Sequence, residues 1–207
     1  MVLDVVFPVY GELLPIDHVY ALYQALVHHW PLFRDPRSLW RFAPINGRPI
    51  GRGLYRLSRD SVLRLRLPET DVWRVLSLSG QMLNLGGWPI RLGKPGISTL
   101  VPATAVRAWL VTFCYRLDAN QFLQLVRWYL SQLGIAGESQ IPLNLRGPAR
   151  GLPQKRFIHI RGQRIVGYTL IITHLRAHDA LRLQTFGFGK HTRFGCGFFS
   201  PLPGDRD

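Results

Sequence analysis

Seven histidines, a large excess of arginine and one glycine-rich loop are the residues of this 207-residue chain that offer chemistry. The loop lies in "LQTFGFGKHTRFGCGFFSP", residues 183–201, where Gly187, Gly189, Gly195 and Gly197 alternate with aromatic residues and bracket Lys190, His191 and Arg193. Glycines let a backbone approach a ligand closely, and three basic side chains among them suit a polyanion. The spacing GxGxxxxxGxG is not the dinucleotide pattern GxGxxG. It is not a Walker loop either, because His191 follows the lysine where Ser or Thr is required.

Histidine, with an ordinary pKa near 6.5, suits proton transfer at working pH. His18, His28 and His29 belong to "DHVYALYQALVHHWP", in which Val19, Leu22, Tyr23, Leu26 and Trp30 recur with helical spacing. At 100° per residue His18 and His29 fall almost on one line. Roughly 16 Å of helix separates them, so one phosphate cannot touch both. His29 borders the apolar stripe at the helix end and His28 points nearly opposite it, giving the order His29, His28, His18 as candidate acid or base. Tyr23 lies on the stripe and reads as core.

His174 and His178 have i, i+4 spacing, but Leu175 occupies the glutamate position of HExxH, and the acidic residues do not cluster as in two-metal nucleases. No metal and no cofactor is expected. His159 lies in "FIHIRGQRIVGYTLII", which reads as a hairpin turning at Gly162 and Gln163 by a type II′ turn. In that register Arg161 faces Arg164, His159 faces Val166, and the isoleucines point to the opposite side. With Arg146, Arg150, Lys155 and Arg156 just upstream, one hairpin face becomes a basic surface for nucleic acid.

The composition agrees. Basic residues number 26 against 12 acidic, a formal net charge of +14 that favours a polyanionic partner. Three of the 26 are lysines, and the rest are arginines, whose planar fork grips phosphate bidentately and stacks on bases. Two distant cysteines, Cys114 and Cys196, suggest neither a disulfide framework nor a zinc site, which fits a reducing cytoplasm. No apolar run approaches the roughly 20 residues of a membrane span.

Stepping along the chain, residues 2–9 form a strand, Asp17 caps the helix that Pro31 ends, and residues 32–60 are loops with short strands. "VLRLRLP" alternates as a strand, residues 70–83 are helical, and "WPIRLG" is a strand. The second half repeats the order: a strand over 105–117, a helix in "DANQFLQLVRWYLSQLG", the hairpin, a helix near 174–185, and a last strand after Gly195. Two βαββαβ units make an α+β protein of tandem ferredoxin-like domains, residues 1–98 and 99–207.

A glycine-rich loop between the last helix and last strand of a second ferredoxin-like unit resembles the signature of the RAMP superfamily. The whole chain, with its opening strand, "DHVYALYQAL" helix, basic hairpin and four loop glycines, is similar to the CRISPR repeat-processing endoribonucleases of that superfamily. The resemblance implies metal-independent cleavage of CRISPR repeat RNA to mature crRNA by attack of a 2′-hydroxyl, leaving a 2′,3′-cyclic phosphate and a 5′-hydroxyl. It implies repeat RNA and Cascade subunits as partners and a histidine in or just beyond the first helix. Related members carry that histidine where Tyr23 stands here, so a non-catalytic RAMP subunit that binds crRNA is the alternative.

Overall fold

Alternation of apolar and other residues from Val2 to Tyr10 gives a strand, β1, whose Leu3, Val5, Phe7 and Val9 are buried. In the computed structural model, which describes residues 1–35, 38–113 and 116–202, β1 belongs to the first of two units. That unit comprises Met1–Leu100 together with Ile158–Gln163 and Arg193–Gly195. β2 (Leu13–Pro15) leads to α1 (Val19–His29), and after a 3₁₀ turn at Pro31–Arg34 come β3 (Arg41–Phe42), β4 (Arg48–Gly51), β5 (Leu54–Arg56) and β6 (Val62–Pro68). β2, β5 and β4 form a small separate sheet. α2 spans only Val72–Leu76, and β7 (Met82–Asn84), β8 (Pro89–Leu92) and β9 (Gly96–Thr99) follow.

Around β1 the order is that of a ferredoxin-like sheet. β6 pairs antiparallel with β1 on one side and with β3 beyond, while β8 and β9 share the other edge of β1, at Val9–Tyr10 and at Leu3–Val6. The fourth strand is therefore split in two. The expected helix over 70–83 ends at Leu76, and residues 82–84 pair with β8. On the face of β1 away from Leu3 and Val5, Asp4 sits opposite Arg66 and receives a fork from it: Nε donates to Oδ1 at 2.7 Å and Nη2 to Oδ2 at 3.0 Å. Arg64 adds a third bond to Oδ2 at 3.0 Å, and Arg66 is 1% exposed.

Asp17 does not cap α1. His18 occupies that position without a side-chain cap bond, and Asp17 is engaged elsewhere. Val19, Leu22, Leu26 and Val27 are the buried residues of α1, while Tyr23 and Trp30 are only partly covered.

The second unit comprises Val101–Phe157, Arg164–Thr192 and Cys196–Asp207. β10 (Val106–Thr112) precedes α3 (Ala119–Gln132), which has a complete capping box: Asp118 accepts from the Gln121 N–H, and the Gln121 side chain accepts from the Asp118 N–H. The expected strand over 105–117 ends at Thr112, and its Cys114 lies outside the described residues. β11 (Glu138–Gln140), β12 (Lys155–Ile160), β13 (Gln163–Thr173), α4 (Ala177–Phe186) and β14 (Phe199–Pro201) complete the unit, with sheet order β11-β13-β10-β14 and β12 also on β13. The core gathers Phe122, Val126 and Leu130 of α3 and Leu183 of α4 against Val106, Ala108, Leu170 and Ile172 of the sheet.

Candidate active site and nucleic-acid interface

The four motif glycines all have positive φ. Gly187 ends α4, and a Cβ there would collide with the carbonyl of Gly197, while one on Gly197 would collide with that of Phe188. The loop thus folds back on itself at a distance only glycine permits. It is also stitched to β10. Lys190 N–H donates to the Thr112 carbonyl at 2.7 Å, and the Thr112 hydroxyl lies 2.9 Å from the Lys190 carbonyl and 3.0 Å from His191 Nδ1. Burial pushes the Cys196 thiol up to about 12, partly offset by a hydrogen bond with Thr112. Thr112 is accordingly the anchor of the loop, a role that no sequence motif signals. Lys190 and Arg193 remain exposed, and His191 is half-buried.

Within the first unit, the start of α1 collects a second group. Asp17 accepts two bonds from His159, from its backbone N–H at 3.1 Å and its ring Nδ1 at 2.6 Å, across 142 positions of sequence. One turn further along α1, Tyr20 and Tyr23 meet Phe194, with ring centroids 6.1 and 4.5 Å apart. The Arg193 guanidinium lies 5.0 Å from the centre of the Phe194 ring. A carboxylate-oriented imidazole, two phenols and an exposed guanidinium are the parts that acid–base catalysis at a phosphate requires.

The three α1 histidines fare differently. His18 is buried, its Nδ1 2.8 Å from the Pro15 carbonyl and its Nε2 accepting from the Ile45 N–H at 2.9 Å. Both ring nitrogens are spoken for by backbone, and desolvation by burial lowers its pKa, against the raising effect of the Pro15 hydrogen bond. It is a structural histidine. His28 and His29 are exposed, and their aromatic neighbours are each other and, for His29, Trp30 at 5.4 Å. By helical geometry His29 projects about 180° from Tyr20 and His28 about 80° from it. His29 therefore faces away from the Tyr20–Phe194 side.

The hairpin turns one residue earlier than expected. Its loop is Arg161–Gly162, with φ of 51° and 77°, a type I′ geometry, and Gln163 already belongs to β13. Arg161 stands in the loop instead of opposite Arg164, so the repulsion between two facing arginines does not arise. Arg146 and Arg150 lie exposed in the segment before β12, as do Lys155 and Arg164 on the hairpin strands. Arg156 is turned inward: Nε donates to Thr169 Oγ1 and Nη2 to Gln154 Oε1, both at 3.3 Å. Among the described residues no group of three or more His, Cys, Asp and Glu side chains is placed to hold a metal ion, and no helix is long and apolar enough to cross a membrane.

Two ferredoxin-like sheets, a basic hairpin and a glycine loop stitched to the first strand of the second unit define a tandem ferredoxin-like protein. In fold the chain is similar to an RAMP protein binding different RNA substrates (TM-score 0.66, 14% identity, 98% of this chain and 99% of that one). It is equally similar to the product of a Cas6-related gene from Pyrococcus furiosus (TM-score 0.65, 14% identity, 99% of each chain). Residues 3–204 match the family described as Cas6 Crispr. Over 198 residues the chain is 32% identical to the CRISPR-associated endonuclease Cas6 of Myxococcus xanthus (strain DK1622), covering 96% of this chain and 80% of that protein. The chain belongs to the Cas6 family and is an endonuclease.

Proposed function

We propose that the protein cleaves CRISPR repeat RNA in the cytoplasm without a metal ion, by attack of a 2′-hydroxyl on the adjacent phosphate. The Asp17–His159 pair, one turn of α1 from Tyr20 and close in sequence to Tyr23, is the observation that carries the mechanism. Asp17, engaged with Nδ1, orients the His159 ring for proton transfer at Nε2. The 2′-hydroxyl proton passes to that nitrogen as the 2′-oxygen bonds to phosphorus. Arg193 stabilises the charge of the phosphorane, and a proton from the imidazolium or a tyrosine hydroxyl goes to the departing 5′-oxygen. The products are a 2′,3′-cyclic phosphate and a 5′-hydroxyl, with no net proton exchanged. Exposed Lys190, Arg146, Arg150, Lys155, Arg161 and Arg164 hold the RNA. The reading extends to assembly with other Cascade subunits, which co-purification on the cleaved RNA checks.

The test is single-turnover cleavage of the neighbouring repeat RNA at saturating protein in EDTA. His159→Ala should slow the step about 10²- to 10⁴-fold with little loss of binding, and Asp17→Asn should slow it less. His28→Ala and His29→Ala should cut at near the wild-type rate. Collapse on His29→Ala with His159→Ala unaffected would return the chemistry to the far end of α1. Strict dependence on magnesium would sink the mechanism, and binding without cutting in the wild type would mark a non-catalytic RAMP subunit.

A further inference from the structure

The second unit contains a cavity of about 440 Å³ that the cleavage chemistry does not use. It lies beside the start of α3 and the base of the hairpin. Phe122 and Tyr168, both nearly fully buried, form its floor, with Val166 beside them. The Tyr168 hydroxyl is engaged, donating to the carbonyl of Leu117 at 3.2 Å, and Leu117 lines the cavity beside it. At the mouth stands Phe157, 43% exposed, with the Arg164 guanidinium stacked 4.2 Å from its ring centre. Arg116, Lys155 and Arg164, all exposed, complete the rim, and among the described residues none of the three forms an ion pair with a carboxylate.

An apolar aromatic interior under a rim of three cations is complementary to one kind of ligand: a flat, uncharged ring attached to an anionic chain. A peptide side chain would match the interior and leave the rim unanswered. A double helix would match the rim and leave the interior empty, because its bases are stacked and paired. An unpaired nucleotide answers both, its base entering between aromatic walls while its flanking phosphates meet the cations.

We propose that this cavity is a nucleotide pocket that takes one extruded or unpaired base of the bound RNA, a contact that rests on the RNA-binding reading above. The pocket makes the protein sensitive to a single unpaired position of the RNA. Val166→Trp fills the space, and Phe157→Ala removes an exposed stacking surface with little risk to folding.

The experiment measures binding of the neighbouring repeat RNA and of a set in which each unpaired nucleotide in turn is made abasic. For wild type, one abasic position should weaken binding about 5- to 150-fold, the range expected for one stacked base. Val166→Trp should weaken binding of the unmodified RNA by a similar factor and show no further loss at that position, and Phe157→Ala should show a smaller version of both effects. If wild type binds the repeat but Val166→Trp and Phe157→Ala bind it equally well, or if the abasic penalty is the same in all three proteins, the pocket proposal is overturned and RNA binding stands. If wild type fails to prefer the repeat over heparin, the RNA-binding reading falls and takes the pocket with it.

Discussion

Acid should reach this protein first through His18. Its ring accepts a hydrogen bond from Ile45 N–H and is buried, and desolvation holds its pKa below the ordinary 6.5. The unfolded chain therefore takes up the proton more readily than the folded one. This contribution to stability is complete above about pH 6.5 and is lost as pH falls from there towards the folded-state pKa, with a slope of at most about 1.4 kcal/mol per pH unit. The melting temperature should drop between pH 7.5 and 5.5, and His18→Gln should flatten that window while lowering stability at pH 7.5. A wild-type melting temperature that stays level across the window contradicts the assignment. Sequence spacing cannot make this distinction, because His18 and His29 share one line on a helical wheel and differ only in what the tertiary fold places around them. The Asp17–His159 pair is equally invisible, since nothing local connects residues 142 positions apart.

Hairpin geometry gives Arg161 an unusual burden. At φ 51° in a type I′ loop it occupies a conformation that Asn or Gly adopts at lower cost. Arg161→Asn should therefore stabilise the fold by about 0.5–1 kcal/mol, measured by urea denaturation, while weakening RNA affinity by about 1–3 kcal/mol if the guanidinium makes a specific base contact, and less if it meets only phosphate. Unchanged affinity would show that the charge is not what keeps arginine there. Elements with strong local signals were legible: α1 from its apolar stripe, and α3 from its stripe and the Asp118–Gln121 box. Strands with a clear apolar pattern were legible too, β1, β6 and β8 among them, but boundaries decided by long-range pairing were not. Residues 82 and 83 read as helix but pair with β8, and the ladder partners β8 and β9 divide an edge that sequence alone assigns to one strand. The hairpin slipped by one because Gly162–Gln163 suits a II′ turn as well as Arg161–Gly162 suits a I′ turn.

At the scale of the whole molecule, a formal net charge of +14 requires that binding respond to salt. Each phosphate neutralised releases condensed cations and adds about 0.7 to 0.9 to the magnitude of the slope of log K against log salt. Affinity for repeat RNA should fall steeply between 50 and 200 mM salt. Replacing both Arg161 and Arg164 with alanine should reduce the slope by about 1 for each that contacts phosphate. A flat response would remove the polyanion argument. Charge is the one property of the interface that composition displays in full, whereas its placement depends on the fold: Arg156 is half-buried and directs its guanidinium to Thr169 and Gln154.

Charge also acts inside the first unit, through Asp4 and Arg66. A buried, forked ion pair offers little net stability, because stripping water from both ions offsets most of their attraction. Its effect falls on the alternatives. Slide β6 by one residue against β1 and every side chain of the strand changes face, leaving Asp4 without its fork and turning Arg66 towards the leucines. A sheet misaligned in that way would carry unanswered charge into an apolar layer, at a cost in free energy. The pair works as a proofreader of strand alignment: it deepens the native minimum only slightly while raising the neighbouring ones.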